Sequence, residues 1–205
     1  MYHKAQQHFK RTDPILYRAS LVHKIDTIKI SDNVFRDLVR AIASQQLSGK
    51  AADTIFGRLE KLLGKKKFIA PHVLKINDGA LRECGFSNAK IIAIKSLAQA
   101  VEQAHLNLTN IHHLQDDEVI TTLTKVKGIG PWTAEMILMF SLGREDIFST
   151  GDLGLQKGIM YIYGLRKLPS QKKMVQLSKS WAPYRTYAAK ILWRVADENK
   201  IKKVS

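Results

Sequence analysis

The chain has 205 residues, of which 45% are hydrophobic, and its 33 Lys and Arg against 18 Asp and Glu give a formal net charge of +15. That composition suffices for a buried core in one domain or two small ones, and it excludes wholesale disorder. The single cysteine, Cys84, excludes an internal disulfide, a four-cysteine zinc site and an iron–sulfur cluster. Because no apolar run has the length of a signal peptide or a membrane span, we expect an intracellular, reducing compartment. The charge favours nucleic acid as the partner.

Apolar residues recur at helical spacing along most of the chain, which predicts an all-α fold with about ten short helices. The first predicted helix places Val34, Leu38 and Ile42 on one face, with Ser31 or Asp32 at its start. The later predicted helices cover residues 51–63, 88–104, 116–124, 131–142, 152–163, 170–180 and 183–199. Period-two alternation, which is typical of a strand, is confined to residues 27–30.

The strongest local signal is the segment 123–134, which reads Leu-Thr-Lys-Val-Lys-Gly-Ile-Gly-Pro-Trp-Thr-Ala. Gly128 and Gly130 predict a tight turn in which the backbone can approach a ligand closely. Pro131 is typical of the first residue of a helix. Such a turn aims backbone N–H groups at the start of the next helix and so predicts an anion site. In a chain of this charge we expect the anion to be a DNA phosphate.

The second signal is Asp152, which follows Gly130 by 22 residues, room for one helix and a return loop. A carboxylate at the start of a helix can be an N-cap and nothing more. Alternatively, the return loop brings Asp152 beside the hairpin, where it faces the nucleotide that the hairpin holds. The residues alone leave both interpretations open.

Together, the hairpin, its two helices and the trailing Asp152 resemble the helix-hairpin-helix superfamily of base-excision DNA glycosylases. The stretches 40–48, 126–140 and 181–188 make the chain most similar to the 3-methyladenine DNA glycosylase II branch. The resemblance implies two helical subdomains: 31–138, ending in the helix-hairpin-helix motif, and 1–30 plus 139–205, carrying Asp152. It also implies a cleft between the subdomains that binds DNA and the target base.

The resemblance further implies the reaction, hydrolysis of the N-glycosidic bond of a flipped-out alkylated purine of the 3-methyladenine or 7-methylguanine type. Cleavage develops positive charge on the deoxyribose, which the carboxylate of Asp152 would stabilise. Trp132 and Trp193 match aromatic positions of the base pocket, and Met136 stands where some relatives have another aromatic residue. Bifunctional relatives have a lysine at the position of Trp132, so this chain is expected to be monofunctional, without lyase activity.

DNA contacts are implied by the same match. Gly128, Gly130 and the hydroxyl of Thr133 would bind phosphate at the hairpin. Gln46, with Leu47 beside it, matches the wedge that fills the gap left by the flipped base, although helix capping would also explain the glutamines of this turn.

Two further expectations follow from the matched positions. The backbone carbonyls of Thr124, Val126 and Gly128 can hold a structural Na⁺ or K⁺, whereas the reaction itself needs no metal or cofactor. Trp181, at a helix entrance, is interpreted as structural.

Two other functions remain open: a DNA-binding module without catalysis, and a glycosylase for oxidised or deaminated bases. In each case the partner is double-stranded DNA. We expect a monomer in the bacterial cytoplasm and nucleoid, or in the nucleus of a eukaryote.

Overall fold

A computed structural model describes residues 2–47, 49–64 and 67–201, apart from the side chains of residues 200 and 201; Ser48, part of the stretch 40–48, lies outside the described residues. Within these ranges the regular structure is entirely helical, with no strand, which confirms the all-α prediction. The α-helices are α1 (Tyr2–Thr12), α2 (Pro14–Val22), α3 (Val34–Ser44), α4 (Gly49–Leu63), α5 (Ala70–Leu74), α6 (Asp78–Cys84), α7 (Asn88–Glu102), α8 (Asp116–Thr124), α9 (Pro131–Phe140), α10 (Leu153–Ile162), α11 (Gln171–Ser178) and α12 (Arg185–Ile201).

The helices form two compact units. The terminal unit comprises Met1–Lys29 and Gly143–Ser205, and the middle unit comprises Ile30–Leu142. The terminal unit therefore contains α1, α2 and α10 to α12, and the middle unit contains α3 to α9. These boundaries lie one and four residues from those expected from the sequence.

In the terminal unit, α10 packs closely against α12 because two glycines remove the side chains between them. A Cβ at Gly158 would lie 2.3 Å from the carbonyl oxygen of Leu192, and one at Gly154 would lie 2.7 Å from Cδ1 of Trp193. Such distances leave no room for even a methyl group. The start of α10 is thereby held against the face of α12 that carries Trp193.

A buried carboxylate ties the N-terminal helices to the rest of the terminal unit. Asp13 is 8% exposed and caps α2 by accepting a hydrogen bond from the backbone N–H of Leu16 at 3.0 Å. Its Oδ2 accepts hydrogen bonds from Nε1 of Trp181, at 2.8 Å, and from the hydroxyl of Tyr163. Burial, and next the hydrogen bond to Asp13, raises the pKa of Tyr163 well above its ordinary value. Trp181 is fully buried, which confirms its structural interpretation.

The middle unit has its core on the predicted apolar face of α3. Val34, Leu38 and Ile42 are all buried there. The helix start differs from the prediction, because Asn33 is the N-cap and its Oδ1 accepts a hydrogen bond from the backbone N–H of Arg36 at 2.9 Å. Neither Ser31 nor Asp32 caps the helix, since α3 begins two residues after Asp32.

Cys84 lies at the end of α6, where it is 6% exposed. Desolvation by burial raises the pKa of its thiol.

The other helix bounds follow the predictions to within a few residues, with two local differences. α9 ends at Phe140 rather than at residue 142, and α12 begins at Arg185, after a cis Ala182–Pro183 peptide bond. Residues 27–30 form no strand.

Candidate functional site

The segment 123–134 forms the predicted hairpin between α8 and α9. Two backbone hydrogen bonds tighten it, from the N–H of Val126 to the carbonyl of Leu123 at 3.1 Å and from Ile129 to Val126 at 3.0 Å. Val126 and Ile129 are buried, which anchors the loop to the middle unit. Pro131 lies in the first turn of α9, as predicted.

Only one of the two hairpin glycines adopts a left-handed conformation. Gly128 has φ +88°, and a Cβ at this position would lie 2.4 Å from Cβ of Ala93 on α7. Gly130 is the N-cap of α9 with φ −97° and ψ 174°, which is extended backbone, and a Cβ there would meet no atom within 4 Å. The turn therefore uses a positive φ at Gly128 alone. Gly130 leaves open space at the start of α9.

Gln45, at the end of α3, holds the hairpin together. Its Nε2 donates hydrogen bonds to the carbonyl oxygen of Gly128 at 3.0 Å and to Oγ1 of Thr133 at 3.1 Å. Thr133 is only 2% exposed. Its hydroxyl accepts a hydrogen bond inside the motif, and the phosphate contact expected of Thr133 stays a prediction.

The turn after α3 is exposed. Gln46 has φ +58°, in the left-handed region that non-glycine residues seldom adopt, and it is exposed together with Leu47, which is 42% accessible. Gln45 is the C-cap residue of α3, as the capping interpretation allows, and its backbone N–H donates to the carbonyl of Ile42, while its side chain bonds to the hairpin. A strained, exposed backbone is where functional residues commonly lie.

Carbonyl groups of the hairpin are partly engaged within the protein. The carbonyl of Val126 accepts the N–H of Ile129, and that of Gly128 accepts Nε2 of Gln45. A carbonyl oxygen has two lone pairs, so both keep one for a further bond. Neutral carbonyl oxygens are ligands that a monovalent cation accepts, and the cation site expected at Thr124, Val126 and Gly128 stays a prediction.

Trp132 and Met136 line one cavity of the middle unit, with a volume of about 510 Å³. This volume is within the range of small-molecule sites. The wall combines apolar side chains of α9 with polar side chains of α3 and α4. Its lining residues are Asp37, Arg40, Ala41, Ser44, Gly49, Ala52, Asp53, Trp132, Met136, Ile137, Phe140 and Ser141.

Asp152 is the N-cap of α10, which confirms the prediction that this carboxylate caps a helix. Its Oδ1 accepts the backbone N–H of Leu155 at 2.8 Å and Nε1 of Trp193 at 2.8 Å. Asp152 and Trp193 are both half-buried. The start of a helix, where the macrodipole favours a negative group, is a suitable place for a carboxylate that accepts these two hydrogen bonds.

The stretch 181–188 positions the loop that leads to Asp152. Arg185 makes a two-pronged ion pair with Asp146, with Nε–Oδ1 at 2.7 Å and Nη2–Oδ2 at 2.9 Å. Oγ1 of Thr186 donates to the carbonyl of Arg144 at 2.7 Å and accepts the N–H of Ile147 at 3.0 Å. The loop from 144 to 147 is thereby fixed to the first turn of α12.

Among the described residues, no group of three or more His, Cys, Asp and Glu side chains is placed to hold a metal ion. Over the same part of the chain, no helix is long and apolar enough to cross a membrane.

Sequence reasoning missed Gln45 and the polar wall of the cavity. Gln45 contacts the hairpin across a separation of 83 residues, which no local pattern reveals. The wall did have a signal: Asp37, Arg40, Ala41 and Ser44 stand at positions i, i+3, i+4 and i+7 of α3, and therefore share one face of the helix. That face is mainly polar, whereas the face of α3 that carries Val34, Leu38 and Ile42 is apolar.

The fold and the hairpin define a helix-hairpin-helix protein, and comparison with known proteins specifies the family. Residues 39–183 match the family model described as HhH-GPD superfamily base excision DNA repair protein. The chain belongs to this superfamily.

Relatives and solved structures agree with this assignment. DNA-3-methyladenine glycosylase 1 of Schizosaccharomyces pombe is 38% identical over 164 residues, which cover 79% of this chain and 72% of that protein. The solved structure of an S. pombe 3-methyladenine DNA glycosylase in complex with abasic DNA has a TM-score of 0.86 at 35% identity, covering 93% of this chain and 95% of that one. The DNA-3-methyladenine glycosidase of Bacillus halodurans has a TM-score of 0.79 at 37% identity, with coverage of 95% and 89%.

Proposed function

We propose that this protein is a monofunctional DNA glycosylase that removes alkylated purines, of the 3-methyladenine and 7-methylguanine type, from duplex DNA and so initiates base-excision repair. The observation that carries the proposal is the carboxylate of Asp152, held at the start of α10 by the N–H groups of Leu155 and Trp193. Its place in the motif, after the second helix of the hairpin, resembles that of the family's catalytic aspartate. The relatives named above act on the same class of base.

In the proposed reaction, the bond between C1′ and the purine nitrogen breaks and its electron pair stays with the base. The base is cationic before cleavage and leaves neutral, so no strong general acid is needed. Asp152 stabilises the positive charge that develops on the sugar. Water then attacks C1′, and its proton passes to the carboxylate or to solvent. One carboxylate therefore suffices.

The cavity lined by Trp132 and Met136 is the proposed site for the flipped base. An indole face stacks on purines and attracts a cationic ring more strongly than a neutral one. Because Trp132 has no amine, it cannot form a Schiff base with the sugar, and the product is an intact abasic strand. We assign Trp193 to positioning Asp152 as well as to the aromatic surroundings of the substrate.

Charge supports the binding of DNA, and the two units share it unequally. The terminal unit has 19 Lys and Arg against 7 Asp and Glu, so 19 − 7 = +12, whereas the middle unit has 14 against 11, so 14 − 11 = +3. We propose phosphate contacts at the backbone of Gly128 and Gly130, the wedge at Gln46 and Leu47, and general attraction by the terminal unit.

The proposal includes a monovalent cation at the hairpin. A Na⁺ or K⁺ at the carbonyls of Thr124, Val126 and Gly128 would stiffen the hairpin and add positive charge near the phosphate. The enzyme acts as a monomer and without a cofactor, in the compartment that holds the genome.

The deciding experiment compares wild type with Asp152→Asn on duplex DNA containing 7-methylguanine. Asparagine also caps helices well, so the variant is expected to keep its fold. Binding to abasic duplex should persist, while base release should fall by at least about 100-fold because the charge that stabilises the sugar cation is lost. Gel analysis of the wild-type product should show an abasic site that is cut only after alkali.

The results of this experiment distinguish the proposed function from the other functions considered. Base release by Asp152→Asn at the wild-type rate would overturn the mechanism. DNA binding without any base release by wild type would leave only a DNA-binding module. Dominant release of 8-oxoguanine would change the substrate class, and strand cleavage without alkali would contradict monofunctional chemistry.

A further inference from the structure

The cavity lined by Trp132 has charged residues in its wall. One acidic residue of this wall is paired closely with an arginine, and the other is not. The ionisable residues that line it are Asp37, Arg40 and Asp53, so its formal charge is −1. Nη2 of Arg40 lies 2.8 Å from Oδ1 of Asp53, and this pair is mutually neutralised. Asp37 is left as the source of the net charge.

Asp37 is only weakly compensated by its neighbour Arg36. Nη1 of Arg36 lies 3.9 Å from Oδ1 of Asp37, at the limit of an ion pair. The reason is that Arg36 is engaged by Glu60 on α4, with Nη2 and Oε1 at 2.6 Å. The side chain of Asp37 is 22% exposed, so solvent screens it only in part.

An aromatic ring, apolar walls and one undercompensated carboxylate together make a site for a flat cation. A ring with a delocalised positive charge gains from the indole face and from the carboxylate, whereas a neutral ring of the same shape gains from neither charge term. Purines methylated at N3 or N7 are such cations, and unmodified purines are not.

On the basis of the function proposed above, we propose that Asp37 is a specificity-determining residue that selects cationic purines electrostatically in this cavity. Asp37 acts on the base and is distinct from Asp152, which acts on the sugar. The charge on the base is lost as the glycosidic bond breaks, so Asp37 stabilises the bound substrate more than the transition state. Its contribution therefore tightens binding and does not raise the maximal rate.

The test uses two duplexes that differ only in charge. Both contain a 2′-fluoro nucleotide, which resists hydrolysis; one has 7-methylguanine, a cation, and the other has 7-methyl-7-deazaguanine, a neutral base of the same shape. We expect wild type to bind the cationic duplex about tenfold more tightly, the size of one partly screened charge contact. Asp37→Asn should reduce this preference to about twofold and leave the affinity for the neutral duplex unchanged.

Two further variants make the result specific. Asp53→Asn leaves the positive charge of Arg40 uncompensated in the same wall, so it should reduce the preference even if Asp37→Asn folds poorly. Asp78→Asn removes a negative charge from an exposed position on α6 in the same unit and should leave the preference intact. In single-turnover release of 7-methylguanine, Asp37→Asn should raise the half-saturating enzyme concentration without lowering the maximal rate.

An unchanged preference in Asp37→Asn, or an equal loss in Asp78→Asn, would overturn the inference. So would a wild-type enzyme that binds both duplexes equally. The proposed function is decided separately, because wild-type release of 7-methylguanine from hydrolysable DNA does not depend on the outcome of these binding measurements.

Discussion

Nε1 of Trp193 donates a hydrogen bond to Oδ1 of Asp152 at 2.8 Å, across the interface of α12 and α10. The contact exists because Gly154 and Gly158 let the two helices approach closely. An aromatic residue that the sequence resemblance predicts in a base pocket is therefore a direct partner of the carboxylate. Trp193→Ala would remove both the aromatic face and the N–H donor, so a substitution that keeps the ring is needed to test the hydrogen bond alone.

Trp193→Phe keeps the aromatic face and removes the N–H donor. We expect single-turnover release of 7-methylguanine to slow by about tenfold, the effect of losing one hydrogen bond to a charged acceptor. Affinity for abasic duplex is the control and should stay within about twofold. A wild-type rate in Trp193→Phe would mean that the ring alone accounts for the role of this residue.

Gly128→Ala and Gly130→Ala form a matched pair in one hairpin. Gly128→Ala introduces a methyl group 2.4 Å from Cβ of Ala93 at a positive φ, and we expect the free energy of unfolding to fall by about 1–3 kcal/mol. Gly130→Ala meets no atom and should change stability by less than about 0.5 kcal/mol.

Gly130→Ala nevertheless tests the proposed contact between the hairpin backbone and a DNA phosphate. If the backbone at Gly130 approaches DNA closely, the added methyl group should weaken duplex binding while the urea unfolding curve stays in place. Equal affinity of Gly130→Ala and wild type would place the phosphate elsewhere.

Gln45→Ala should destabilise the hairpin from a distance. It removes two hydrogen bonds, to Gly128 and Thr133, and leaves the buried hydroxyl of Thr133 without this donor. We expect a loss of about 1–2 kcal/mol in the free energy of unfolding, measured by urea denaturation, and weaker DNA binding. Gln46→Ala is the control, since the exposed neighbour should leave stability unchanged; an equal loss in both variants would contradict the assignment.

Alkaline pH should destabilise the terminal unit through two tyrosines, the half-buried Tyr163 and the buried Tyr187. Burial raises the pKa of Tyr163 and of Tyr187, with hydrogen bonds to Asp13 and Glu145 as the next causes. Both phenols stay protonated in the folded protein above pH 10, where the unfolded chain ionises. Each therefore contributes stability that is complete below about pH 10 and is lost at about 1.4 kcal/mol per pH unit above it.

Tyr163→Phe removes one of these two groups. Its unfolding midpoint should be lower than that of wild type at pH 8, because the bond to Asp13 is lost, yet it should fall less steeply between pH 9.5 and 11. Parallel pH profiles of the two proteins would show that Tyr163 ionises equally readily in both states.

Most of the fold could be predicted from local patterns, and the exceptions have physical reasons. The helices next to the hairpin were found because Gly128, Gly130 and Pro131 mark their ends. α1 was missed because only Ala5 and Phe9 of its residues are buried, which leaves no apolar stripe. α5 and α6 have five and seven residues, too few for a helical period to be recognised.

The candidate site could be predicted where the resemblance to the superfamily matched single positions of the sequence. Asp152 at a helix start and Trp132 after the hairpin could be named, and the structure places Met136 in the same cavity as Trp132. The burial of Thr133 and the bond from Trp193 to Asp152 depend on packing between distant segments. Such contacts are set by tertiary structure, so the sequence carried no local sign of them.

The burial of Cys84 has a consequence for the protein's own survival. Methylating and oxidising reagents attack thiolates, and a thiol that is shielded from water and kept protonated reacts slowly with both. Because Cys84 is the single cysteine of the chain, the protein has no other thiol for such reagents to attack. Burial of this thiol thus protects the most reactive sulfur group of a repair protein from the kind of reagent that alkylates DNA.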